Sequence, residues 1–260
     1  MLQSRKALVV GCAFVLIGSA VAATPAAPAH AGDAVAAYAS PWASAAAEAR
    51  ALADRILQRE SDDLLLDGKR QRALGHEIQQ ALSLIRRTHP AMADVSVREG
   101  RRRGTLVLGL EGALRDAVFA AWGDERAPAP PGTGHAVFDA LNRGLGLQAV
   151  QPFSALDSVV LYLHERANIA AAILMYGAID GVAYVEPDAS LGDGPDIEAV
   201  KEQGRWYFVF RQAWGDCPSG CINEAFAFFT VADGEAAPIE PARARGMDAF
   251  AALVTDRGWR

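Results

Sequence analysis

From Trp42 to about Glu60 the chain carries Ala47, Leu52, Ile56 and Leu57 at spacings that bring them to one side of a helix. Lys69 to Thr88 repeats the pattern, with Leu74, Ile78, Leu82 and Ile85 at steps of four, four and three. His89-Pro90 ends it, because the residue before a proline is pushed out of the helical region. With Asp67-Gly68 as the turn between them, residues 42–90 predict an antiparallel helical hairpin packed on the rest.

From Ala93 the period changes. Asp94 to Arg98 and Thr105 to Leu110 read as a β-hairpin whose solvated tip is Arg101-Arg102-Arg103. A helix over Leu114 to Trp122, a Pro-rich loop at Ala127 to Gly132 and a short helix through Val137, Leu141 and Leu145 follow. Strands are expected near Leu147 to Val150, at Val159 to Leu163 and at Val182 to Val185, with a helix from Ala167 to Tyr176 before the last. A further strand near Ile197 to Lys201 leads into two aromatic runs, Trp206 to Phe210 and Phe226 to Val231, and Met247 to Val254 closes the chain as a helix. Strands outnumber long helices and hairpins are frequent. The fold class is therefore α+β: an N-terminal helical hairpin, then a mostly antiparallel sheet with helices on one face. Residues 91–260 are long enough for one large domain or two small ones.

The N-terminus changes the compartment. Arg5-Lys6, an apolar run from Ala7 to Gly18 and small residues to Ala23 have the layout of a secretory signal peptide over residues 1–31, cleaved after Ala23 or after Ala31. Retention as an anchor is the alternative, since the run from Ala7 to Ala23 approaches the ~17-residue lower limit of a span. Val9-Val10-Gly11-Cys12 also resembles a lipobox, with an apolar lead too short for a normal signal core. Residues 32–41, rich in Ala and Pro, read as a flexible tether. The expected location is periplasmic or extracellular, with no stable membrane span after cleavage.

Loss of the segment to Ala31 removes Arg5 and Lys6 and no acid, which takes the formal net charge from −6 to −8. So acidic a chain is a poor partner for nucleic acid, whose phosphates demand a basic footprint.

Cleavage also leaves only Cys217 and Cys221, in Trp214-Gly215-Asp216-Cys217-Pro218-Ser219-Gly220-Cys221 between the two aromatic runs. In an oxidising compartment this predicts a disulfide at the tip of a β-hairpin. The rivals are a redox pair and a soft-metal site. The first normally uses Cys-x-x-Cys at a helix start, and the second needs two more ligands, absent at finger-like spacing. Asp188, Asp193, Asp196 and Glu198, with Gly192 and Gly194, form a second polar cluster. Asp188, Asp193 and Asp196 are candidate metal ligands for calcium, although the EF-hand glycine position holds Asp193, and a plain Gly/Asp loop is the simpler reading. The five histidines are scattered, and His76-Glu77 lacks the second histidine of a zinc helix. No nucleophile elbow, phosphate loop or dinucleotide fingerprint is present, so no catalytic residue and no cofactor are predicted.

Residues 159–188 carry a family likeness. Val159 to Leu163, the helix through Ile169, Ile173, Leu174 and Tyr176, and Gly181 to Asp188 resemble the end of a subtilisin-type propeptide, the I9 inhibitor family. The resemblance implies a ferredoxin-like module ending in a Val-Glu-Pro-Asp-like tail, and inhibition of a subtilisin-like protease. The chain departs from that family after the tail, where a cysteine hairpin stands in place of a protease. The expected function is a non-catalytic secreted or periplasmic binding module for an extracytoplasmic protein or small ligand. The alternative is an extracytoplasmic enzyme, or a metal or thiol protein, with its site near Cys217 and Cys221 or the Asp188 to Asp196 loop.

Overall fold

The structure, a computed structural model, describes residues 41–98, 101–189 and 193–259. The expected signal segment, nearly all of the expected tether, and Ser190, Leu191 and Gly192 of the acidic loop lie outside the described residues.

Two long helices open the fold, α1 (Pro41–Glu60) and α2 (Gly68–Thr88). The Asp67 side chain caps α2 by accepting from the backbone N–H of Lys69 at 2.8 Å and Arg70 at 3.3 Å, which satisfies two donors that the first turn leaves open. After α2 come β1 (Arg101–Leu110), α3 (Gly112–Trp122), β2 (Ala127–Pro128), α4 (Ala136–Gly144), β3 (Ala149–Phe153), β4 (Ser158–Tyr162), α5 (Ile169–Gly177) and β5 (Val182–Ala189). The chain then runs through β6 (Asp196–Glu202), β7 (Arg205–Trp214), β8 (Asn223–Ala232), β9 (Glu235–Ile239), α6 (Pro241–Ala244) and α7 (Asp248–Asp256). The fold is α+β, and every strand pairing is antiparallel.

The strands divide into two sheets. One has five strands in the order β2-β3-β4-β1-β5. Apart from the two-residue β2 and the extra helix α4, the chain order β1-α3-β3-β4-α5-β5 is βαββαβ, and the spatial order is that of a ferredoxin-like split βαβ unit. One face is dry. Leu106, Leu108 and Leu110 of β1, Val159 and Leu161 of β4 and Val150 of β3 share a core with Leu114, Val118, Phe138, Leu141 and Tyr176 from the three helices.

The other sheet is a meander, β6-β7-β8-β9. Trp206, Phe208 and Phe210 of β7 point to the helical hairpin and share a core with Leu52, Ile56, Ile78, Leu82 and Ile85. Val209, with Phe228 of β8, points the other way onto Phe250 and Leu253 of α7 and Ala244 of α6. This sheet is thus covered on both faces, which is why β7 reads as an unbroken apolar run rather than an alternating one. Its two tight turns use Gln203-Gly204 (φ 49° and 81°) and Asp233-Gly234 (φ 53° and 77°), the paired positive values that a type I′ hairpin requires.

Several readings change. The expected hairpin of residues 94–98 with 105–110 is absent, and β1 begins at Arg101 instead. Val95 and Val97 are buried in the core under the helical hairpin; the Val95 N–H donates to Met92 O at 3.4 Å, while the Val97 N–H and the Val95 carbonyl pair with side chains. Glu48 accepts from the N–H of Val97 at 2.9 Å, and Arg86 donates to the carbonyl of Val95 at 2.7 Å. Arg86 also grips Glu48 with two bonds of 2.7 and 3.0 Å, so a buried ion pair replaces a strand neighbour. Arg103 accordingly lies in a strand, 3.5 Å from Asp54, rather than at a solvated tip. The sequence reading also leaves out β9, the two-residue β2, which it took as part of a Pro-rich loop, and the short α6.

Residues Ala39–Arg260 cluster as one unit. A backbone clamp helps to make them so. Leu66 N–H donates to Arg166 O at 2.8 Å, Asn168 N–H to Leu64 O at 2.9 Å, and the Asn168 amide to Ser61 O at 2.7 Å. The loop between α1 and α2 is therefore tied to the turn between β4 and α5. Among the described residues no helix is long and apolar enough to cross a membrane.

Candidate functional site

Cys217 and Cys221 form a disulfide, with Cα atoms 4.0 Å apart, at the tip of the β7–β8 hairpin. Trp214 and Ile222, exposed on either side, leave the tip partly apolar.

Asp193 secures that tip. Its backbone N–H donates to Cys217 O at 2.6 Å, and its carboxylate takes two 2.7 Å bonds from the guanidinium of Arg211 on β7. Further bonds come from the N–H of Gly194 at 2.7 Å and of Cys221 at 3.4 Å. The Arg211 bonds hold the Asp193 carboxyl far below the usual carboxylate range, and Asp193 in turn raises the Arg211 guanidinium.

Asp196 and Glu198 are buried at the start of β6. Asp196 accepts from the N–H of Arg98 and of Ile197, each at 2.8 Å, and pairs with Arg55 and Arg257. Glu198 pairs with Arg55 at 2.7 Å, Arg59 at 3.1 Å and Arg257 at 3.3 Å. Asp188 is in β5, in the other sheet from Asp196. Of the three candidate ligands, Asp193 and Asp196 thus already have arginine counter-charges. Among the described residues no group of three or more His, Cys, Asp or Glu is placed to hold a metal ion. The cluster does structural work, fixing α1, the disulfide tip and the end of α7 to one sheet edge.

Three of the histidines make local contacts within the fold. His135 caps α4 by accepting from the Phe138 N–H, His89 packs against Phe229 with tilted rings whose centres are 4.9 Å apart, and His164 Nδ1 accepts from the Arg166 N–H at 3.1 Å. His30 lies outside the described residues.

The candidate interaction surface is the second face of the five-stranded sheet. Pleating sends alternate residues to opposite sides. With Leu106, Leu108, Val159 and Leu161 under the helices, Val107, Val160 and Tyr162 point outward. The register sets Val107 opposite Val160 and Glu186, Val160 opposite Gln151, Ser158 opposite Phe153, and Gly109 opposite Tyr184. Val107, Val160 and Tyr162 are half-buried, whereas Phe153 and Tyr184 are 42% and 44% exposed. Among the described residues no helix contributes to a core on this side.

Two contacts set its relief. The Tyr184 ring lies across Gly109, where an added Cβ would come within 2.0 Å of the ring, so only glycine leaves room for it. The Arg126 guanidinium stacks 4.4 Å above the Tyr162 ring. The sequence reading missed this surface as a whole. The Tyr184 and Phe153 side chains were visible in the sequence, but the parity that turns them outward comes only from the pairing.

Comparisons with protein-family models, with curated proteins and with solved structures each returned no match.

Proposed function

We propose that the chain is a secreted or periplasmic, non-catalytic binding module that docks a protein partner on the open face of its split βαβ sheet. The observation that carries this reading is that face itself. A five-stranded sheet with a fully packed core on one side presents Val107, Val160, Tyr162, Phe153 and Tyr184 on the other. A face of apolar and aromatic side chains rimmed by Glu186, Gln151 and Arg126 has the make-up of an interface, with an apolar centre, a polar rim and aromatic anchors. Export accords with the signal-like N-terminus and with the disulfide. The likeness of residues 159–188 to subtilisin-type propeptides makes a subtilisin-like protease the first partner to try.

The test is a binding and inhibition titration against a subtilisin-like protease, beside capture from an extracytoplasmic extract. Each is run with wild type, Val160→Asp, Tyr184→Asp and, as a control on the exposed side of α5, Leu174→Ser. The expected outcome is a complex that Val160→Asp and Tyr184→Asp weaken at least tenfold, a loss of about 1.4 kcal/mol, and that Leu174→Ser leaves intact. A complex indifferent to both sheet substitutions would sink the proposal.

A further inference from the structure

The clamp between the α1–α2 loop and the turn after β4 leaves a groove of about 490 Å³, with α1 and α2 on one side and residues 164–166 on the other. That volume lies within the usual range for small-molecule sites. Its charge runs against that of the molecule. Arg50, Arg72 and Arg166 line it, facing Glu165 as the single carboxylate of the lining, in a chain whose formal net charge is −6.

Glu165 is already engaged by Arg50 at 2.8 Å. Arg166 donates to Leu66 O at 3.1 Å, and neither Arg166 nor Arg72 pairs with a carboxylate among the described residues. The two guanidinium groups are neighbours beside Gly68. Nη1 of Arg166 and Nη1 of Arg72 come within 3.3 and 3.5 Å of the point where Gly68 would carry a Cβ. Like charges set side by side repel, and an anion between them removes the repulsion while taking charge-assisted hydrogen bonds.

Two histidines, His76 and His164, add polar ring nitrogens to the lining. His164 Nδ1 accepts from the Arg166 N–H, so its neutral ring carries the proton on Nε2. His76 Nε2 lies 2.9 Å from the Gln80 amide nitrogen. A second, independent observation is Gly75. It stands in the middle of α2, where glycine weakens a helix relative to alanine. A Cβ there would meet nothing within 4 Å, so packing does not require the glycine, and its absent side chain keeps the groove open.

From the paired guanidinium groups, the excess of donors and the cleared helix face, we infer that this groove binds a small organic oxyanion, a phosphate monoester or a dicarboxylate. The site is separate from the open sheet face and does not depend on it.

Calorimetric titration of the oxidised protein with glycerol phosphate and with succinate, at constant ionic strength, tests the inference. The expected result is saturable binding of one or both. Glycerol phosphate alone assigns a phosphate ligand, and succinate alone a carboxylate. Arg72→Gln should raise Kd at least tenfold, and Gly75→Leu, a better helix former that fills the space, should abolish binding without lowering the melting temperature. Arg245→Gln, which removes an exposed cation from the far side of the second sheet, should leave Kd unchanged. Failure of both probes to bind, binding indifferent to Arg72→Gln and Gly75→Leu, or equal weakening by Arg245→Gln would overturn it.

Discussion

Two carboxyl groups, Asp193 and Asp54, meet opposite electrostatic surroundings and should leave opposite marks on stability. Arg211 holds the Asp193 carboxyl down, so the folded state binds its proton less readily than the unfolded chain does. Its contribution is full above the usual carboxylate value of 3.8 and falls as the pH drops below that value. It is gone once the pH passes below the depressed folded value. Because the Asp193 side chain is 30% exposed, solvent screening keeps the effect modest. Asp54 is the reverse. Burial raises its carboxyl, against the opposing hydrogen bond from the Gln71 amide and the charge of Arg103. Its ionisation therefore works against the fold, and stability declines as the pH rises from 3.8 through the raised value. Urea-unfolding midpoints followed from strongly acidic to neutral pH should show Asp193→Asn losing part of the acid-side decline. Asp54→Asn, which retains an acceptor for Gln71, should be at least as stable as wild type at neutral pH.

At the scale of elements, the disulfide hairpin is the cleanest case. Cys217 and Cys221 close a very short loop, and Asp193 already ties the same turn through Cys217 O and the Cys221 N–H. Changing both cysteines to serine should therefore cost about 2 kcal/mol or less in urea unfolding and leave β7 and β8 formed. That hairpin was legible because aromatic runs flanking Asp, Pro, Ser and Gly have one simple solution. Segment 94–98 was not. Val95 and Val97 alternate with polar residues just as a strand does, but Glu48 and Arg86, distant in sequence, supply the bonds that a strand partner would. β9 escaped because Glu235 to Ile239 holds two alanines and a proline, although Asp233-Gly234 ahead of it is a strong hairpin signal. In the acidic loop, nothing local reveals Arg55, Arg211 and Arg257 as partners of its carboxylates, which is why calcium stood as an alternative to the plain Gly/Asp loop. The open sheet face was hidden for a related reason: Leu106, Val107 and Leu108 are all apolar, and only pairing with β4 and β5 decides which of them faces out. The groove was equally unreadable, since Arg72 and Arg166 meet only after the clamp closes.

For the whole molecule, the decisive feature is that the first helices and the last sheet share one core. Ile78 of α2 and Phe210 of β7 are both fully buried in it. Ile78→Ala should cost about 2–5 kcal/mol and Phe210→Ala about 3–5 kcal/mol. Because both act on one shared core, each should shift the same cooperative transition, read by far-ultraviolet circular dichroism and tryptophan fluorescence together. Two separated transitions would mean that the hairpin and the meander melt as independent bodies. The arrangement also fixes an order of events in time. Arg55 and its partner Asp196 lie 141 residues apart, and Leu52, Ile78 and Leu82 have no sheet to cover them until β6 to β8 have been made. While the chain grows, its earliest helices carry a bare apolar flank. Loop closure over such distances is slow, and exposed apolar surface invites association with other chains. The nascent protein is thus most vulnerable to aggregation just before β6 to β8 emerge, and chaperone dependence during synthesis should fall sharply once Val231 is out.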